Sequence, residues 1–208
     1  MQLVDSDPTA QRAPGYPPRR VVPPAAAKLR ILGVADHLFY DEGIRSVGID
    51  RLISESQVTK ATFYKHYGSK DRLILEYITG RHQAVVDAVE RITAEAPNAE
   101  GSLRGIIAGI VANTESPNFR GCPFVNAAAE FGGIDHPVRL AVIDHRDWYT
   151  EVLADLLREI GHPLPGDAAD DLILARDGAM TGGYAGDAVA ASAAFQRAAD
   201  RILAESDR

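Results

Sequence analysis

Apolar residues recur every three to four positions along most of this chain, and no convincing alternating stretch breaks that rhythm. A period near 3.6 marks helices with one buried face, whereas a half-buried strand would alternate. Leu32, Ala35, Leu38 and Phe39 give a first helix that starts after Pro23-Pro24 and ends at Gly43. Ile49, Leu52 and Ile53 form the inner face of a second, from about Gly48 to Ser56. Gln57-Val58 reads as a turn. Thr59 then caps a third helix, because its hydroxyl can accept from free first-turn N–H groups, and Gly68 closes that helix. Ser69 caps a fourth, with Asp71 in its first turn and Leu73, Ile74, Tyr77 and Ile78 inward; it runs to about Ala96, with a bend expected at Gly80. Further helical patterns cover about 102–114, 123–131, 137–160, 167–184 and 188–204. The fold class expected is all-α.

Residues 1–24 do not share this periodicity. Six prolines (Pro8, Pro14, Pro17, Pro18, Pro23 and Pro24) and few aliphatic residues predict a disordered arm. Within it Arg19 and Arg20 are either solvated or available to a minor groove. No apolar run approaches the roughly 18 residues that span a bilayer, and the basic-then-apolar signature of a secretory signal is missing. The single cysteine, Cys122, excludes an intrachain disulfide and suits a reducing, cytoplasmic setting.

The formal net charge of −7 argues at first against a nucleic-acid partner. Its distribution reverses that. Residues 1–24 and 25–80 each carry +1, while residues 81–208 carry −9. All four lysines (Lys28, Lys60, Lys65 and Lys70) fall between residues 25 and 80. An acidic body with a locally basic head fits specific DNA binding rather than indiscriminate coating.

The third helix has the equipment for a major groove. Val58, Phe63 and Tyr67 are the apolar positions that would anchor it to its neighbours, which leaves Lys60, Thr62, Tyr64 and Lys65 for the outer face. A lysine can donate to guanine, and a threonine can bond a base edge or pack its methyl on thymine. Tyr64 and His66 suit phosphate contacts that set register, and Lys70 could share a phosphate with the N–H groups opening the fourth helix.

Phe39-Tyr40-Asp41-Glu42-Gly43, Val58-Thr59-Lys60-Ala61-Thr62-Phe63-Tyr64, and His66-Tyr67-Gly68-Ser69-Lys70 with Leu73 resemble the DNA-binding segment of the TetR/AcrR family of bacterial transcriptional regulators. The resemblance implies an all-helical homodimer. It would carry a three-helix head over residues 25–70 and a C-terminal domain over 71–208 that binds a small effector and dimerises. It also implies that Thr59, Lys60, Thr62, Tyr64, Lys65, His66 and Lys70 meet DNA. Some positions depart from the pattern: Gln57 stands where the turn usually has glycine, Val47-Gly48-Ile49 offers no hydroxyl, Ile53 replaces a small residue, and Asp50 leaves Arg51 as the substitute for a phosphate contact.

In the C-terminal region, Arg120-Gly121-Cys122-Pro123-Phe124 places a thiol just before a helix start, either as a redox sensor or as a buried structural cysteine. Asn126 and Glu130, one turn apart, line a pocket or merely cap and solvate. Phe119, Phe131, Trp148, Tyr149 and Met180 form either an aromatic cavity or ordinary core. His136, His145 and His162 have no tight metal-ligand spacing and read as surface or helix-end residues; no metal or cofactor is expected. Small residues thin the last two helices, which resemblance makes a dimer interface through Leu172, Ile173, Ala179, Gly183, Phe195 and Ile202, with packing inside one subunit as the alternative. No serine-nucleophile elbow, phosphate loop, dinucleotide fingerprint or zinc-protease motif occurs. The function expected is a ligand-responsive repressor, a homodimer on a near-palindromic duplex operator, released by a small molecule. An effector-independent DNA binder and a helical protein-binding adaptor are the alternatives.

Overall fold

The structure, a computed structural model, describes residues 26–207. The expected arm with Arg19 and Arg20 lies outside the described residues. In chain order the helices are α1 (Ala26–Glu42), α2 (Ile49–Glu55), α3 (Lys60–Tyr67), α4 (Lys70–Glu95), α5 (Ala99–Thr114), α6 (Pro123–Glu130), α7 (Pro137–Glu159), α8 (Pro165–Ala185) and α9 (Ala188–Leu203). A short 3-10 turn, Ala204–Asp207, ends the chain, and no strand occurs among the described residues. α5 starts three residues earlier than its apolar pattern suggests, because the Asn98 side chain accepts from the Gly101 N–H at 2.8 Å. α8 likewise starts two residues early, with Pro165 at its first position.

The head is three helices closed by the start of a fourth. Ile31, Ala35, Leu38 and Phe39 of α1 meet Leu52 of α2, Phe63 and Tyr67 of α3, and Leu73, Ile74 and Tyr77 of α4. Phe39 and Tyr77 pack edge to face, centroids 5.6 Å apart. This core continues past the head to Phe124 and Ala127 of α6, Val138 and Val142 of α7 and Met180 of α8.

The turn between α2 and α3 carries a backbone constraint. The Gln57 N–H donates to Ser54 at 3.1 Å and the Val58 N–H to Ile53 at 3.2 Å, which satisfies two otherwise free carbonyls at the end of α2. That pair of bonds needs a left-handed residue, and Gln57 adopts φ +52°. Glycine accepts this conformation without the steric penalty that a Cβ brings.

A second core fills the body: Val89, Leu103 and Ile106 pack with Leu153, Leu157, Leu172, Ile173 and Phe195. Here the structure corrects the expected interface. Leu172, Ile173, Ala179 and Phe195 are buried inside the protomer, and Ile202 packs half-buried on the same core. Gly183 also faces inward, since a Cβ there would lie 2.5 Å from Thr114 Cγ2. The small residues of α8 and α9 therefore let helices of one chain approach closely.

Gln57→Gly should relieve the left-handed turn and stabilise the fold by about 1 kcal/mol, net of the backbone entropy that glycine adds to the unfolded chain. Urea unfolding of the two proteins measures it, and a midpoint that does not rise contradicts it.

Candidate DNA-binding surface and ligand cavity

Two aromatic anchors orient α3. Phe63 is fully buried and Tyr67 is 2% exposed, with the Tyr67 hydroxyl donating to the Lys28 carbonyl of α1 at 2.9 Å. Burial pushes the Tyr67 phenol well up, so it stays a donor. With that face fixed, Lys60, Ala61, Tyr64 and Lys65 are turned to solvent. Tyr64 leans edge-on against Phe63, centroids 5.5 Å apart, and keeps 40% of its surface exposed. The Thr62 N–H donates to Thr59 Oγ1 at 3.1 Å, and the two hydroxyls lie 2.9 Å apart. His66 is half-buried at the end of the same helix.

Lys70 departs from the expected phosphate contact. Its Nζ turns inward, donates to the Ile44 carbonyl at 2.6 Å and lies 5.8 Å from the Phe39 ring centre. Burial lowers its pKa, against the opposing influence of Glu130 and Asp71. It braces the α1–α2 turn. Arg51 is also committed, pairing with both Glu42 and Glu55, which offsets the cation that α2 might have offered a phosphate.

The body holds a largely apolar cavity of about 310 Å³. Val85, Ala88 and Ile92 of α4 face Ile106, Gly109 and Ile110 of α5 across it. Phe124, Tyr149 and Met180 close one side, and Tyr40 of α1 reaches it from the head. The polar groups are few: Tyr40, Tyr149, Asn113, Arg81 and Arg176. The volume and the mix of apolar wall with a few fixed polar groups are those of a small-molecule site. A neighbouring cavity of about 190 Å³ shares Phe124, Tyr149 and Arg176 and adds Cys122, Arg139, His145 and Arg146.

Arg176 lies at this junction. Its Nη1 donates to Asp177 at 2.7 Å, its guanidinium carbon is 5.4 Å from the Tyr149 ring centre, and Nη1 and Nη2 lie 3.8 and 3.7 Å from Cys122 Sγ. Burial alone would lower its pKa, but Cys122, Tyr149 and Asp177 outweigh that and hold it charged. Asp177 is shared with Arg146. Arg81 pairs with Asp36 of α1 (Nη2–Oδ2 3.0 Å) and stacks over the Tyr40 ring at 4.7 Å. The Tyr40 hydroxyl donates to the Gly121 carbonyl and accepts from the Arg120 N–H, both at 2.9 Å.

Of the residues expected to bind an effector, Tyr149 and Met180 line the main cavity and Cys122 the smaller one. Phe119 borders an open cleft beside Asp36 and His37 instead. Trp148 stands edge-on to His82, centroids 5.0 Å apart. Asn126 does not line the cavity but donates to the Arg120 carbonyl at 2.8 Å. Glu130 reaches the head: its two oxygens accept the N–H groups of Ile44 and Arg45 at 2.8 and 2.7 Å. Phe131 is buried against the head's core and stacks on His136.

Of the three histidines, His136 and His162 stand at helix ends as expected and His145 does not. His136 caps α7, accepting from the Val138 N–H at 3.2 Å. His162 is buried after α7, with Nε2 3.1 Å from the Ile202 carbonyl. His145 is buried mid-helix, stacked on Phe124 at 3.5 Å, with Nδ1 3.0 Å from His82 Nδ1. One ring nitrogen must donate there and the other accept. Arg176 and His145 were readable as exceptions, since each interrupts an apolar helical stripe: Leu172, Ile173 and Met180 flank the first, Val138, Val142 and Tyr149 the second.

A helix-turn-helix whose cationic helix faces outward, set on a helical body with a largely apolar cavity, defines a DNA-binding transcriptional regulator. Residues 31–77 match the family described as bacterial regulatory proteins, tetR family. The crystal structure of SCO4454, a TetR-family transcriptional regulator from Streptomyces coelicolor, superposes with a TM-score of 0.85 at 39% identity, covering 88% of this chain and 96% of that one. The HTH-type transcriptional regulator LmrA of Bacillus subtilis (strain 168) is 26% identical over 137 residues, 64% of this chain and 71% of LmrA. The reduced form of E. coli NemR shares the fold, with a TM-score of 0.72 at 17% identity over 85% of this chain and 93% of its own. The chain belongs to the TetR family of transcriptional regulators. Among the described residues no helix is long and apolar enough to cross a membrane.

Burial, with Arg176, His82 and Arg146 nearby, lowers the His145 pKa from 6.5 to about 3. The unfolded chain then takes up a proton that the folded one refuses, so stability is full above pH 6.5 and is lost as pH falls toward 3, by up to about 1.4 kcal/mol per pH unit. His145→Phe, which keeps a ring on Phe124, should flatten this acid limb. Melting temperatures between pH 7 and pH 4.5 test it, and parallel curves for the two proteins would refute it.

Proposed function

We propose that this regulator binds a near-palindromic operator as a homodimer, with α3 in the major groove, and that a small molecule in the α4–α5 cavity releases it. The observation that carries this is the division of α3, with Phe63 and Tyr67 sealed inward and Lys60, Tyr64 and Lys65 free outside. Thr59, Thr62 and His66 border that surface. Two copies of α3 would meet half-sites about 34 Å apart, so a shift between heads costs affinity. A ten-fold loss needs only about 1.4 kcal/mol of differential binding.

Two links connect cavity to head in this mechanism. Tyr40 belongs to α1 yet forms part of the cavity wall. Glu130 ends α6, which contributes Phe124 to the wall, and grips the α1–α2 turn through two backbone N–H groups. A ligand that displaces Phe124 or Tyr40 therefore moves groups bonded to the head.

For the dimer, the buried α8 and α9 residues are replaced by the outer face of the same pair. Leu174 and Val189 are 66% and 68% exposed there, with Gly178, Thr181, Gly182 and Ala190 leaving room for a second copy. Exposed apolar side chains among small ones suit a self-complementary two-fold contact.

Lys60→Ala and Tyr64→Ala should weaken binding to an operator selected from random DNA, with melting unchanged, and Lys65→Ala should also reduce the salt dependence by about one counterion. Fluorescence anisotropy across a salt series measures both, and unchanged affinity in all three variants would place the interface elsewhere. Leu174→Glu should shift the protein to monomer in sedimentation and lower operator affinity together; a variant that stays dimeric would exclude this face.

A further inference from the structure

We propose that the effector is a predominantly apolar small molecule carrying one anionic group, its body between α4 and α5 and its anion at Arg176. This deepens the effector reading of the cavity and rests on it. Among the described residues, neither cavity has a carboxylate in its lining; Arg81 is matched by Asp36 from outside it, and Arg139, Arg146 and Arg176 line one or both. Arg176 and Arg146 share one carboxylate, that of Asp177, so this wall carries an excess of cation. The remaining neighbours of the Arg176 guanidinium are the Tyr149 ring and the Cys122 sulfur, neither of them a carboxylate.

A buried cation short of anionic partners favours a ligand that supplies one, because a guanidinium takes a carboxylate in paired, charge-assisted bonds. A cationic ligand would leave water to sit beside like charge with no carboxylate to receive it. A neutral one would leave the excess uncompensated. The rest of the wall sets the other half of the class. Val85, Ala88, Ile92, Ile106 and Ile110 offer no hydrogen bonds, so the body of the ligand must be hydrocarbon or aromatic. Gly109 belongs to that wall, and a Cβ there would meet Ile92 Cδ1, a facing wall atom, at 4.0 Å in ordinary van der Waals contact. A side chain added there would occupy the ligand's volume.

The test uses the full-length protein without DNA and two apolar frames, decane and naphthalene, each with a carboxylate, a hydroxymethyl or an aminomethyl head. Melting shifts and calorimetric titration should rank carboxylate at least ten-fold tighter than alcohol on at least one frame, with the amine weakest. Gly109→Leu should abolish the shift, and Arg176→Gln should erase the preference for carboxylate while Arg176→Lys keeps part of it. If Arg176→Gln fails to fold, the ranking on the unaltered protein decides. An alcohol or amine that binds as well as the acid, carboxylates on both frames that fail to bind, or binding undiminished in Gly109→Leu would overturn the proposal. Anisotropy with operator DNA is read separately: a carboxylate that binds yet leaves DNA affinity unchanged sustains the ligand class and refutes its role as effector.

Discussion

The outward face of α3 depends on one packing event, the burial of Phe63 and Tyr67 beneath a helix of only eight residues. So short a helix has little stability of its own. Its conformation comes from the anchors, from Thr59 at one end and from Gly68 at φ +73° at the other. Rotation about its axis is set by the same two rings, so the outward direction of Lys60 and Tyr64 follows from what is buried on the opposite side. The Tyr67 hydroxyl adds a fixed point, since its bond to the Lys28 carbonyl ties α3 to α1.

That anchoring is continuous with the body. Phe39 and Tyr77 belong to the core that seats α3, and the same core reaches Phe124 and Met180, which also form the cavity wall. A close-packed interior passes displacement on because it has few voids to absorb it. Head and cavity therefore share side chains as well as a backbone, and Lys70, turned into the head, strengthens the joint.

The head was legible in the sequence because each of its features is local. Capping hydroxyls, closing glycines and the spacing of Phe63 and Tyr67 act within a few residues, and the apolar period marks each helix in turn. Even the oddity at Gln57 could be seen before its positive φ was known. The cavity was legible only in fragments. Tyr149 and Met180 stood out as large apolar residues, whereas Arg81, Tyr40 and Arg176 come together from α4, α1 and α8, helices distant along the chain. Glu130 shows the limit most clearly: one turn from Asn126 it reads as a pocket residue, yet its partners lie 86 and 85 positions away. The inward face of α8 and α9 was misassigned for a related reason, since small residues that permit close approach do not say which helix approaches.

The Glu130 contact has a consequence for how such a protein can diversify. Its grip on the head uses main-chain donors of Ile44 and Arg45, groups that every residue except proline possesses. The linkage is thus indifferent to the identity of the side chains it holds. Under the proposed function, wall positions such as Val85, Ile110 or Met180 are free to drift toward new chemicals, and α3 toward new operators, while one carboxylate keeps the two halves in register. Novel input and output pairings can arise by separate substitutions, with no need to reinvent the connection between them.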